Sequence, residues 1–101
     1  MQAKLETKLV VNGIPIELNE VAHKFLTNIM ICAVSMLKGG NNVTTLDYSL
    51  DGDQVSLIIN DQIIPLSPFP RDAVKGTISG MVSSLKGVHK IDSLQVKIQM
   101  N

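Results

Sequence analysis

An internal repeat constrains the fold of this chain more than any other feature of its sequence. Residues 8–50 align with residues 56–98 at a constant offset of 48 and without a gap, and ten of the 43 aligned pairs are identical. The identical pairs include Asn12 with Asn60 and the Leu-Lys-Gly triplet that closes each predicted helix. A repeat of this length predicts that both halves form the same supersecondary unit, related by a pseudo-two-fold axis.

Each repeat has the pattern of a strand, a turn, a short extended segment, a helix and a second strand. Asn12-Gly13 and Asn60-Asp61 are turn sequences, in which positive φ is tolerated. A proline in each short extended segment places that segment at a sheet edge or outside the ladder. The predicted strands are Leu5–Val11, Val43–Leu50, Val55–Ile59 and Ile91–Met100, and the short segments are Ile14–Leu18 and Ile63–Leu66.

The helices of the two repeats begin and end with matching signals. Asn19 is a natural N-cap for the first helix, and Ser67 followed by Pro68 is the corresponding start of the second. Both helices are predicted to stop at Leu-Lys-Gly, because the glycine suits a left-handed cap and the lysine faces the negative helix end.

The resulting order β-α-β-β-α-β predicts one domain over residues 1–101, in the α+β class with ferredoxin-like topology. We expect a two-layer sandwich in which a four-stranded antiparallel sheet carries two helices on one face and short extra segments at its edges. The last strand alternates apolar residues with polar ones, which indicates that one face of the sheet is buried and the other is exposed to solvent. A chain of 101 residues of which 45% are apolar can build one such core.

Two stretches of the second repeat resemble small prokaryotic proteins of unassigned function that contain a duplicated βαβ unit. The stretches are Pro-Leu-Ser-Pro-Phe at residues 65–69 and Gly-Met-Val-Ser-Ser-Leu-Lys-Gly-Val at residues 80–88. The resemblance covers the second half well and the first half weakly. It implies the duplicated architecture and no particular chemistry.

The first helix carries apolar residues over an arc of roughly 220°, more than a two-layer domain needs for its sheet. One flank of this arc recurs in the second helix, which suggests apolar surface left over for a closed two-fold dimer. The alternative is that the two flanks contact each other within one chain. The predicted interface comprises Leu26, Met30, Val34, Val74, Ile78 and Val82.

The second helix contains small residues where the first has large ones. Gly76 and Gly80 lie in its interior, where each glycine costs about 1 kcal/mol relative to alanine. Three explanations stay open: close packing on the sheet or on the first helix, a groove for a small molecule, and close helix contact across a dimer.

Candidate catalytic groups are few, and we predict no catalytic site. His23 and His89 fall at opposite ends of their elements, so they are not expected to converge. Cys32 lies within the apolar arc and is interpreted as a core residue. Ser83 and Lys86 share a helix face, but the helix-end signals already account for the lysine.

Metal and cofactor sites are not predicted either. A single cysteine excludes an internal disulfide and the zinc sites that need two or more cysteines of one chain. The Asp51-Gly52-Asp53 segment lacks the series of regularly spaced oxygen ligands that a calcium-binding loop needs, and it fits a hairpin turn. Arg71 is the only arginine, and a single arginine provides little capacity to bind phosphate substrates.

The charge balance and the aromatic content argue against nucleic acid as a partner. Nine basic residues balance nine acidic ones, whereas nucleic-acid binders are usually basic. The three aromatic residues, Phe25, Tyr48 and Phe69, are interpreted as core, so the open sheet face offers no stacking platform.

Residues 1–6 lack the apolar core of a signal peptide, and the apolar run Ile29–Leu37 is too short to span a bilayer. We expect a soluble cytoplasmic protein without a membrane partner.

Together these features favour a non-enzymatic protein that acts by self-association, as a homodimer, or by binding another protein. The alternative is a small-molecule-binding regulatory domain of ferredoxin-like topology, with its site near the helix starts and Gly76 and Gly80.

Overall fold

The computed structural model describes residues 4–100, which form two helices and six strands. The predictions for residues 1–6 rest partly on residues outside this range. The elements are β1 (Leu5–Val11), β2 (Ile14–Ile16), α1 (Glu20–Ser35), β3 (Thr45–Asp51), β4 (Gln54–Ile59), β5 (Gln62–Ile63), α2 (Pro68–Ser83) and β6 (Ser93–Met100).

The strands form one six-stranded sheet in the order β2-β1-β6-β3-β4-β5, and every neighbouring pair is antiparallel. The α+β class with two helices is therefore correct, and the four-stranded ferredoxin-like sheet is wrong. The difference arises at Asn12 and Asn60, whose φ angles of 51° and 52° make tight turns that fold β2 onto β1 and β5 onto β4. Pro15 lies in edge strand β2, where its missing N–H costs no ladder hydrogen bond.

The strand order is symmetric about the boundary between β6 and β3, the last strands of the two halves. Each half contributes β-β-α-β in the same order. In each half the first long strand and the last strand are parallel, with a strand of the other half between them. The halves are therefore interleaved, and neither contains a complete sheet by itself.

Two equivalent asparagines join the halves at the ends of the central strands. The Asn12 Oδ1 atom accepts hydrogen bonds from the backbone N–H groups of Asp92 (2.7 Å) and Ser93 (2.9 Å), and its Nδ2 donates to the Lys90 carbonyl (2.6 Å). Asn60 makes the same three bonds to residues 44, 45 and 42, at 2.7, 3.1 and 3.0 Å. Residues 42, 44 and 45 each lie 48 positions before residues 90, 92 and 93, so the hydrogen bonds repeat at the same offset as the sequence.

The two helices and one face of the sheet enclose the core. Alternate residues of the long strands point into it, and Tyr48 at the middle of β3 is fully buried. The opposite face carries the intervening polar residues, among them Lys8, Asp47 and Lys97, which lie side by side on β1, β3 and β6. The predicted alternation in β6 is confirmed, with Leu94, Val96 and Ile98 buried.

The helix ends follow the predicted signals in part. The Asn19 Oδ1 atom accepts a hydrogen bond from the Ala22 N–H at 2.8 Å, so Asn19 caps α1 as expected. Ser67 is the N-cap residue of α2, although its side chain makes no capping bond to the described residues. Both helices end at a serine, before the Leu-Lys-Gly triplets, and Gly39 and Gly87 each adopt φ of 88° in the turns that follow.

Candidate interaction surface

The six residues of the predicted interface lie in the core, so the expectation that they form an exposed flank is wrong. None of the six has more than 4% of its surface exposed. They turn toward the sheet because they are the apolar positions that both helices share, and a two-layer domain buries the shared stripe. The residues are Leu26, Met30, Val34, Val74, Ile78 and Val82.

The other flank of the apolar arc faces outward instead. Val21 and Phe25 of α1 are 74% and 56% exposed, and Met36, the C-cap residue of α1, is 86% exposed. Phe69 of α2 is 81% exposed. The interpretation of Phe25 and Phe69 as core residues is therefore wrong. Cys32 is exposed on the same side of α1, which also corrects its interpretation as a core residue.

The two helices lie antiparallel, with shallow grooves between them at both ends. Met36 near the end of α1 and Phe69 at the start of α2 line a groove of about 290 Å³. Val21 and Phe25 line a second groove of about 350 Å³ with Met81, Ser84 and Leu85. We call the surface that joins these grooves the outer helical face. It is formed by Val21, Phe25, Ile29 and Cys32 of α1, by Met36 at the C-cap of α1, and by Phe69, Ala73, Gly76, Thr77 and Gly80 of α2.

The glycines of α2 lie on the outer helical face and are exposed. A Cβ atom added at Gly76 or Gly80 would meet no atom of the described residues within 4 Å. Close packing inside the chain therefore does not explain them. Each still costs about 1 kcal/mol of helix stability relative to alanine, and the groove and the contact across a dimer stay open as explanations.

The two histidines lie in different places and do not form a pair. Nε2 of His23 accepts a hydrogen bond from the Thr7 N–H at 3.0 Å, on the part of β1 that extends beyond β2. The hydroxyls of Thr7 and Thr27 bond to each other beside it. His23 thus satisfies a free backbone donor at a sheet edge. His89 lines a separate cavity with Gly87 and Lys90.

The serine candidate near the end of α2 is hydrogen-bonded to the helix itself. The hydroxyls of Ser83 and Ser84 both donate to the Gly80 carbonyl, at 2.9 and 3.0 Å. A hydroxyl that bonds back to the preceding turn has its proton engaged there. Lys86 follows in the turn after the helix and is exposed.

The acidic residues near the β3–β4 hairpin make separate contacts. Asp53 forms a 2.9 Å ion pair with Lys75, and this hydrogen bond and charge lower the pKa of the Asp53 carboxyl. Asp47 on the open sheet face accepts a hydrogen bond from the Gln95 amide at 3.1 Å. Within residues 4–100, no group of three or more His, Cys, Asp or Glu side chains is placed to hold a metal ion.

The three aromatic residues lie away from the open sheet face. Tyr48 points into the core, and Phe25 and Phe69 lie on the helices. The polar sheet face therefore has no aromatic side chain on which a base could stack.

Comparison of the chain with models of known protein families, with curated proteins and with solved structures gives no match. Neither α1 nor α2, the helices of residues 4–100, is long and apolar enough to cross a membrane.

The surface that stands out is thus one that the sequence interpretation missed. Val21, Phe25, Met36 and Phe69 form its large apolar positions. One signal in the sequence finds part of it. The core stripe is apolar in both repeats, whereas Phe25 and Met36 align with the smaller Ala73 and Ser84. Val21 and Phe69 align with each other, so the repeat gives no signal for these two residues.

Proposed function

We propose that this protein is a non-enzymatic binding protein that works through its outer helical face, by self-association or by binding another protein. The single observation that carries the proposal is the exposure of Val21, Phe25, Met36 and Phe69 on a face without a charged residue. Interface centres are typically depleted in charge and enriched in aromatic residues and methionine.

The exposed area supports this proposal quantitatively. The exposed parts of these four residues amount to about 500 Å² of largely apolar surface, if each fully exposed residue offers on the order of 150–200 Å². The largest apolar patch on an ordinary monomer is about 300–600 Å², and such a patch is often functional. Ile29, Cys32 and Ala73 lie between the two pairs that line the grooves and connect them, so the exposed apolar surface of the outer helical face is within that range.

A cytoplasmic location is part of the same proposal. Cys32 is exposed, and a lone exposed thiol persists in a reducing compartment.

The test uses Cys32 as the attachment point for a photo-crosslinking group, because it is the only cysteine and lies on the outer helical face. The control protein combines Cys32→Ser with Ser56→Cys, which moves the probe to an exposed position on the open sheet face. We expect crosslinks from Cys32, to a second copy or to another protein, in purified protein or in native cells. Absence of crosslinks from Cys32 in both settings, or equal crosslinking from position 56, contradicts the proposal.

A small-molecule sensor is the second candidate, and the groove of about 290 Å³ beside Phe69 favours it. Ala33, Met36, Leu37 and Ala73 also line this groove. Its volume is at the lower limit of typical ligand sites, and its lining is mostly apolar. Binding to the folded state must raise the melting temperature, so a panel of apolar metabolites that leaves the melting temperature unchanged contradicts this candidate.

A further inference from the structure

We infer that the occupant of the outer helical face is a second copy of this chain, in a two-fold dimer in which large side chains of one copy fill the space over Gly76 and Gly80 of the other. This inference rests on the proposed function and names its partner. It is carried by the shape, the area and the charge of the face.

The face carries both large exposed side chains and positions without a side chain. Phe25 and Phe69 are 56% and 81% exposed. A Cβ atom added at Gly76 or Gly80 would meet no atom of the described residues within 4 Å, so the α2 backbone is open to a partner there. A two-fold axis presents the same surface twice, so the large side chains of one copy can pack over the glycines of the other.

The area of the face is sufficient for a small dimer interface. Helices of 16 residues are about 24 Å long, and two neighbouring helices present a face about 20 Å wide. Because side chains make the surface uneven, this face could bury on the order of 600 Å² of accessible area per copy. A dimer would then bury about 1,200 Å² in total, which is the lower limit of stable interfaces. We therefore expect reversible association with a dissociation constant in the micromolar range.

The charge of the chain does not oppose self-association. The formal net charge is zero and the isoelectric point is about 6.7, so two copies do not repel each other near neutral pH. All ten residues of the outer helical face are uncharged. Lys24 and Asp72 occupy equivalent exposed positions on α1 and α2, each one residue before a member of the outer helical face, where a polar rim would lie.

The experiment compares Phe69→Asp with Ile63→Asp by sedimentation velocity over a range of concentrations. The two side chains are matched in exposure, at 81% and 80%, but Ile63 lies on edge strand β5, away from the outer helical face. We expect Phe69→Asp to raise the dissociation constant at least tenfold and Ile63→Asp to change it less than twofold. Equal effects of the two substitutions, or none from Phe69→Asp, overturn the inference.

A second variant separates loss of the interface from loss of folding. Gly80→Leu adds a side chain where the single chain has free space, and it replaces a helix-interior glycine. We expect the melting temperature of dilute Gly80→Leu to be equal to or higher than that of the wild type, while its dissociation constant rises at least tenfold. A Gly80→Leu protein that dimerises as tightly as the wild type contradicts the inference.

The outcome also distinguishes this inference from the proposed function. A wild-type protein that stays monomeric at every concentration, but crosslinks to another protein through Cys32, refutes the second copy and retains the binding function. A monomer without any crosslink from Cys32 refutes both.

Discussion

Asn12 and Asn60 provide a test of how the two halves of the sheet are held together. Each carboxamide makes three equivalent hydrogen bonds, at 2.6–3.1 Å, to the start of a central strand and the loop before it. The Asn60 Oδ1 atom accepts a fourth from the Thr44 hydroxyl at 2.7 Å. Each residue also has a positive φ, which asparagine tolerates better than alanine. We therefore expect Asn12→Ala and Asn60→Ala to lose both contributions.

The magnitude follows from these contacts. Three hydrogen bonds at an exposed site contribute about 2 kcal/mol in total, and an alanine in the left-handed region adds about 1 kcal/mol. Either alanine variant should thus lose about 3 kcal/mol of unfolding free energy, or roughly 10–20 °C in melting temperature for a chain of this size. Asn12→Asp retains the accepting oxygen and the tolerance of positive φ, so it should lose only about 1 kcal/mol.

Urea denaturation followed by circular dichroism measures these losses, at one protein concentration for all variants. The decisive comparison is between the two asparagines, because they share three equivalent hydrogen bonds. Alanine variants within about 0.5 kcal/mol of the wild type, or a large loss at only one of the two positions, would refute the reasoning.

Further predictions concern Tyr48 and the glycines. Burial raises the pKa of Tyr48 to about 12, whereas an exposed tyrosine has a pKa of about 10. The free energy of unfolding should therefore fall by about 2–3 kcal/mol as the pH rises from 10 to 12. Tyr48→Phe should remove this pH dependence. Tyr48 is the only tyrosine, so phenolate absorbance measures its ionisation directly. A Tyr48 pKa near 10 in the folded protein would contradict its burial. The Tyr48 hydroxyl has no hydrogen-bond partner among the described residues, so Tyr48→Phe should be at least as stable as the wild type at neutral pH. Gly40→Ala should lower the free energy of unfolding by more than about 3 kcal/mol, because its Cβ would lie 1.8 Å from the Val34 carbonyl oxygen. Gly76→Ala should instead stabilise the dilute monomer by about 1 kcal/mol. Similar melting temperatures for the two variants would contradict this account.

Local signals in the sequence predicted the elements of the fold well. The turn residues Asn12 and Asn60, the cap Asn19 and the glycines after each helix all take the conformations expected of them. These signals act over a few residues, so the chemistry of the side chain decides the backbone. Whether two residues at a sheet edge pair as a strand depends on neighbours distant in sequence, and for this reason the six-stranded sheet was not predicted.

The proposed binding surface was harder to predict, because periodicity gives the width of an apolar arc and not the part of it that is buried. Phe25 and Leu26 are adjacent on α1 and both apolar, but only Leu26 faces the sheet. The second repeat removes part of this ambiguity, since Leu26 aligns with Val74 and Phe25 with the smaller Ala73. It gives no signal for Val21 and Phe69, which align with each other. Duplication of an ancestral unit stays a prediction, although the repeated hydrogen bonds of the two asparagines are in accord with it.

The most direct test of the central claim, that the outer helical face binds a second copy, is the absolute mass of the wild-type protein. Light scattering after size exclusion should be measured near neutral pH across a dilution series. The account predicts a mass that rises from 11.0 kDa in dilute solution toward twice that value, 22.0 kDa, over the micromolar range. A mass of 11.0 kDa at every concentration would contradict it.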